Sequence, residues 1–200
     1  MRSQRVQLRI VSGSLRGRRL TCVVGPNLRP TPQMVREALF NILGNAIPGR
    51  PFFDVFAGTG IFGLEALSRG CSFATLIERD FRLAQDIDER LRGYSLQDRS
   101  QVLRTDTYRW ASYWHPPEEP VNIYLSPPFR DLERLRVDEF LKLIATLRDK
   151  MPEQSVIAIQ SEADQLKDKF EDQADWDIRK YGRNVLMVWV KEATPDLAAE

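Results

Sequence analysis

Residues 54 to 63 read Asp-Val-Phe-Ala-Gly-Thr-Gly-Ile-Phe-Gly, a G-x-G-x-x-G run with an acid four places before its first glycine. Glycines there let the backbone approach a ligand closely, and a helix opening at that point aims its unpaired amides at it. Glu78 follows 20 residues after Gly58, the spacing at which an acid can accept hydrogen bonds from ribose hydroxyls. The chemistry indicated is the binding of a nucleoside-containing cofactor. Asp54, Gly58, Thr59, Gly60 and Glu78 are its candidate ligands, with Asp106 just past a third strand. An acid placed like Asp106 also commonly caps a helix, and the glycine pattern serves both NAD and S-adenosylmethionine.

A second group is Leu125-Ser126-Pro127-Pro128-Phe129. Adjacent prolines stiffen a loop, and the aromatic after them can stack on a nucleobase. Amino-methyltransferases of nucleobases carry Asp/Asn-Pro-Pro-Tyr/Phe at such a place. An exocyclic amine is a poor nucleophile because its lone pair is delocalised into the ring. A side-chain oxygen and the first proline's carbonyl accept its hydrogens and help localise that pair. Ser126 offers a hydroxyl without charge, and charge-assisted bonds are roughly twice as strong as neutral ones. By analogy with removal of an oxyanion donor, the loss of one such acceptor costs ~2–4 kcal/mol.

Other chemistries are poorly served. His115 is the only histidine, and Cys22 and Cys71 form no CxxC pair. A histidine base, a zinc cluster and a disulfide framework are therefore not expected; the reducing cytoplasm and no metal are. No apolar run is long enough to span a bilayer, so no membrane partner is expected.

The net charge of +1 conceals a segregation. The first 50 residues hold nine arginines against one acid, a net +8, while the remaining 150 hold twenty basic against twenty-seven acidic residues, a net −7. An anionic partner at the N-terminal end is implied.

The elements that must position these groups are legible as patterns. Val6, Leu8 and Ile10 alternate with Arg5, Gln7 and Arg9, and Ser12-Gly13-Ser14 is turn chemistry, so residues 5–24 are expected to form a β-hairpin with an arginine face. Thr31-Pro32 opens a helix as a hydroxyl cap followed by proline, ending near Gly44. Strands are expected at 52–56, 73–78, 101–105, 121–125 and 155–160, and helices at 61–68, 81–93 and 137–150. A terminal hairpin, 176–181 with 185–191, turns at Gly182-Arg183-Asn184. Such alternation means an α/β fold with a mostly parallel sheet covered on both faces. Tyr108, Trp110, Tyr113 and Trp114 are read as core or a helix face. The expected organisation is an N-terminal extension (1–50), a Rossmann-like domain (51–192) and a tail (193–200).

The order of several strings carries a resemblance. Arg9-Ile10, Gly13, Arg16-Gly17-Arg18 and Leu20 are followed by Arg29-Pro30-Thr31 and by Val35-Arg36-Glu37 with Leu39-Phe40-Asn41. Then come Asp54-Val55-Phe56-Ala57-Gly58-Thr59-Gly60, the run Gly63 to Gly70, and Ile77-Glu78-Arg79-Asp80. Over about residues 8 to 190 the chain resembles the RsmD family, enzymes that methylate N2 of one guanine in bacterial 16S ribosomal RNA. The resemblance implies a class I S-adenosylmethionine-dependent methyltransferase fold, with a mostly parallel seven-stranded sheet and an RNA-gripping N-terminal hairpin. It implies S-adenosylmethionine as cofactor and the small ribosomal subunit as partner; a monomer is expected. Carried over by position, Asp54, Gly58, Thr59, Gly60, Glu78 and Asp106 line the cofactor pocket. Ser126, Pro127, Pro128 and Phe129 form the catalytic loop. Arg9, Arg16, Arg18, Arg19, Arg29, Thr31 and Arg36 face the RNA or the active-site cleft. Ser126 stands where the family has Asp, and Asn122 where it usually has Asp in the preceding strand. Three rival readings are an RNA-binding relative without activity, a DNA adenine methyltransferase and a dinucleotide oxidoreductase. No separate DNA-reading domain and no hydride-transfer acid or base stand out for the last two.

Overall fold

The structure is a computed structural model that describes residues 4–25, 30–133, 136–162, 166–170 and 175–193. The tail from 194 and Arg29 lie outside them. β1 (Gln4–Arg9) and β2 (Arg19–Val24) pair as the expected antiparallel hairpin. Leu20, Cys22 and Val24 are buried and Arg19, Thr21 and Val23 exposed, the period-2 pattern of a strand with one wet face. The register sets Arg9 opposite Arg19. Like charges across one rung are destabilising on their own, and an anion lying over both would offset that.

α1 (Gln33–Leu43) buries Val35, Arg36, Leu39, Phe40 and Leu43. Its cap position is Pro32, with no side-chain cap bond. The expected Thr31 cap is therefore corrected: that hydroxyl donates to Gln160 Oε1 at 2.7 Å.

The rest alternates as read: β3 (Phe52–Asp54), α2 (Ile61–Ser68), β4 (Ala74–Ile77), α3 (Phe81–Gly93), β5 (Ser100–Leu103), α4 (Thr107–Tyr113), β6 (Asn122–Leu125), α5 (Val137–Lys150), β7 (Val156–Glu162), α6 (Lys167–Phe170), β8 (Asp177–Tyr181) and β9 (Asn184–Val190). The short helices α4 and α6 were not among the expected elements. The seven-stranded sheet has the order β5-β4-β3-β6-β7-β9-β8. Only β9 runs against its neighbours, closing the sheet as an antiparallel hairpin with β8. Among the described residues no helix is long and apolar enough to cross a membrane.

α2 is buried at all eight positions, as befits a helix covered on both sides. The N-terminal hairpin supplies the second cover: Ile10, Leu20, Cys22 and Val24 share one apolar cluster with Ile61, Leu64, Leu67 and Phe52. The hairpin turn locks onto the end of α2. Ser14 N donates to Ser68 O at 2.7 Å and Leu15 N to Ser68 Oγ at 2.9 Å. Gly13 has φ +82°, and a Cβ on it would lie 1.8 Å from Ser68 O, so only glycine fits this approach.

Arg36 completes the lock and departs from its expected role. It is 2% exposed, and its guanidinium donates to Thr31 O at 2.9 Å and to Arg9 O at 3.0 Å. Its Nε lies 3.8 Å from Glu65, which is fully buried. Glu65 also accepts from Val11 N at 2.9 Å and pairs with Arg69. A buried guanidinium committed to carbonyls and a carboxylate cannot reach a phosphate. Arg36 holds the extension to the sheet.

Candidate functional site

The strand order reverses between β3 and β6, which are hydrogen-bonded neighbours. Open α/β sheets bind ligands beyond the carboxyl ends of strands at such a switch point. The two chemical motifs leave the sheet there side by side: Val55 N donates to Tyr124 O at 2.9 Å. The glycine-rich loop and the Ser126 loop, 72 residues apart from Asp54 to Ser126 in sequence, thus leave the same edge of the sheet on neighbouring strands.

The glycine-rich loop is shaped by its glycines. Gly58 and Gly60 have φ of +53° and +72°, the left-handed region that side chains disfavour. A Cβ on Gly63 would meet Leu76 Cδ2 at 2.5 Å, so α2 can press on β4 only without one. Gly58 N donates to Glu78 Oε2 at 2.8 Å, and Glu78 Oε1 accepts from Asp80 N at 2.8 Å. This presents the Glu78 carboxylate at the loop. Thr59 is buried, and its carbonyl accepts from Arg90 at 3.4 Å. The same guanidinium donates to Thr21 O of the hairpin at 3.3 Å.

Asp54 is 1% exposed. Its Oδ2 accepts from Gly63 N at 3.1 Å, while its Oδ1 has no partner. Burial pushes its carboxyl up to about 7, against the lowering effect of the Gly63 amide. A buried oxygen without a donor beside a glycine cradle fits a cationic amine, such as the amino-acid end of S-adenosylmethionine. Asp106 is the cap of α4: one carboxylate oxygen accepts from Tyr108 N at 3.0 Å and Arg109 N at 3.2 Å.

On the other side Ser126, Pro127 and Pro128 are half-buried, and Phe129 is 60% exposed. The loop is pinned behind them. Asp131 N donates to Pro128 O at 2.9 Å. The buried Asp131 carboxylate accepts from Tyr108 Oη at 2.7 Å and pairs with Arg136 at 3.2 Å. Below the loop the Tyr124 ring stacks on Phe62 at 4.0 Å between centroids. The Tyr124 and Thr31 hydroxyls both donate to Gln160 Oε1 at 2.7 Å. Thr31, expected to face substrate, thus braces the loop from within. Gln160 and Arg90 were absent from the sequence reading. The signal for Gln160 was a polar residue following the apolar run Val156-Ile157-Ala158-Ile159.

Arg9, Arg16, Arg18 and Arg19 are all exposed on the hairpin. In the aromatic group, Trp110 and Trp114 pack on Phe53 at 5.9 and 5.2 Å, whereas Tyr113 is exposed.

Comparison with known proteins agrees with this geometry. The model of the family described as conserved hypothetical protein 95 matches residues 8–190. The Bacillus subtilis protein YlbH is 36% identical over 143 residues, covering 71% of this chain and 74% of its own. Ribosomal RNA small subunit methyltransferase D of Escherichia coli is 39% identical over 124 residues, 62% of this chain and 61% of that one. Among solved structures, the Escherichia coli protein yhhF superimposes with a TM-score of 0.72 at 28% identity, over 94% of this chain and 100% of that one. The sheet order, the glycine cradle and a match over 8–190 make the chain a member of the RsmD family of ribosomal RNA methyltransferases, with the class I methyltransferase fold.

Proposed function

We propose that this protein transfers the methyl group of S-adenosylmethionine to the exocyclic N2 of a guanine in 16S ribosomal RNA, acting as a cytoplasmic monomer on the small subunit. The observation that carries this reading is the convergence at the β3–β6 switch point of the glycine cradle and a half-buried hydroxyl followed by an exposed aromatic.

Asp54 Oδ1 and the loop amides would hold the amino-acid end of the cofactor, Glu78 would take the ribose hydroxyls, and Asp106 would contact the adenine. When bound, the cofactor supplies a methyl group on a sulfonium, open to displacement. The chain's own residues prepare the amine. The guanine must be unstacked to enter, and Phe129 offers the face on which it stacks. The Ser126 oxygen and the Pro127 carbonyl accept hydrogen bonds from the two N2 hydrogens and localise the lone pair toward the methyl carbon; as the N–C bond forms the sulfonium–methyl bond breaks, S-adenosylhomocysteine leaves, and one N2 proton passes to water. Catalysis by this arrangement is mainly positioning. Arg9, Arg16, Arg18 and Arg19 meet RNA phosphates, and Arg29 belongs with them by its place in the Arg-Pro-Thr string.

The test is transfer of a labelled methyl group to small subunits from cells lacking the RsmD enzyme, with wild type and Ser126→Asp side by side. Label on a guanine N2 with wild type is expected. No label with wild type but label with Ser126→Asp would overturn the enzyme reading in favour of an RNA-binding relative.

A further inference from the structure

Gln160 lies on β7 beneath the Ser126 loop, with its side chain 7% exposed. Its Oε1 accepts from Thr31 Oγ1 and Tyr124 Oη, each at 2.7 Å, and lies 3.5 Å from Ser126 Oγ. Its Nε2 donates to Asn184 Oδ1 at 3.0 Å, with the carbonyl end of the amide toward the loop. The Tyr124 phenol donates to Gln160, and Ser126 Oγ makes a third, longer contact with the same carbonyl oxygen. The inward neighbour of the Ser126 hydroxyl is therefore an acceptor. A hydroxyl has one proton and two lone pairs. With the proton drawn inward, the lone pairs turn toward the cleft.

We infer that Gln160 is a positioning residue: its carbonyl oxygen orients the Ser126 hydroxyl so that serine meets the incoming exocyclic amine as an acceptor. This rests on the proposed methyl transfer. It explains how a neutral side chain serves where an acceptor is required. A free hydroxyl can donate or accept, and only one of those orientations suits an amine whose hydrogens must be taken up. Thr31 links the same oxygen to the segment leading from the RNA-facing hairpin.

The experiment is a double-mutant cycle on methyl transfer to unmodified small subunits, using Gln160→Met, Ser126→Ala and the pair. Gln160→Met is expected to lower kcat about 10- to 100-fold, the scale of a misplaced reacting group, with KM for subunits little changed. It is expected to add almost nothing once Ser126 is alanine. Gln160→Glu, whose carboxylate oxygens still accept the hydroxyl proton, should recover much of the loss. S-adenosylhomocysteine affinity, read by calorimetry, reports whether each variant is folded. Should Gln160→Met fail to fold, Asn184→Ala takes its place in the cycle, freeing the amide to rotate. Full additivity of the two losses, or an undiminished kcat in a folded Gln160→Met, would overturn the inference while leaving the enzyme reading intact. Absence of transfer by wild type overturns both.

Discussion

At the scale of single residues, two side chains carry opposite kinds of tension. Burial raises the Asp54 carboxyl to about 7, so it is largely protonated below that pH until a cation meets its free oxygen. The folded, unliganded chain therefore holds a proton that the unfolded chain releases at lower pH. The stability this carboxyl contributes is fullest in acid and falls as pH rises toward 7. Binding an ammonium group requires the ionised form, so a proton leaves on binding. Affinity for S-adenosylhomocysteine should thus fall up to tenfold per pH unit below about 7 and level off above it. Calorimetry from pH 5.5 to 8.5, on the order of the range spanning that value, checks this; Asp54→Asn should bind weakly and without the pH dependence. Phe129 is the other case, an aromatic left 60% exposed beside the reacting loop. Phe129→Ala should lose ~1–3 kcal/mol of base stacking, seen as a raised KM for subunits with cofactor affinity unaltered.

At the scale of elements, the hairpin and α2 form one unit. The lock of Gly13 on Ser68, and of Arg36 on Glu65 and two carbonyls, explains why the Arg-Ile…Gly…Arg-Gly-Arg string and the Gly63–Gly70 run occur in one chain. Each string is the other's docking surface. Gly13→Ala combines a left-handed φ with a Cβ at 1.8 Å from a carbonyl oxygen. It should undock the turn and destabilise the protein by about 2 kcal/mol or more. Thermal unfolding reads the stability loss, and RNA binding should weaken more than cofactor binding. Arg90, which bonds both the Thr59 and the Thr21 carbonyl, is the direct tie between hairpin and cofactor loop.

At the scale of the whole molecule, charge is sorted by position. The first 50 residues carry a net +8 and the remainder a net −7, so an anionic partner is expected to meet the exposed arginines of the hairpin. Binding to ribosomal RNA should weaken steeply with salt. Each of Arg9, Arg16, Arg18 and Arg19 that contacts a phosphate should contribute about 0.7–0.9 to the slope of log affinity against log salt. Single alanine variants measured across a salt series give that number directly, and a slope unchanged by all four would exclude the hairpin from the interface.

The element types, the period of each strand, the glycine cradle and the rigid Ser126-Pro127-Pro128-Phe129 loop are legible along the chain, because these follow from local backbone preferences and from which faces must be apolar. The sequence also carried the family. Strand order is a long-range property settled by packing: pairing β3 with β6 is what sets Asp54 beside Tyr124, two residues before Ser126, at one edge of the sheet. The fate of ambiguous polar groups was likewise decided in three dimensions. An arginine reads the same in sequence whether it meets a phosphate or a buried carboxylate, and only packing assigned Arg36 to Glu65 while leaving Arg9 and Arg19 in solvent. A threonine before proline reads as a cap, yet Thr31 found a partner 129 residues away. Gln160 was silent for the same reason: its meaning lies in three hydroxyls that the chain supplies from distant places and that only the fold gathers around one oxygen.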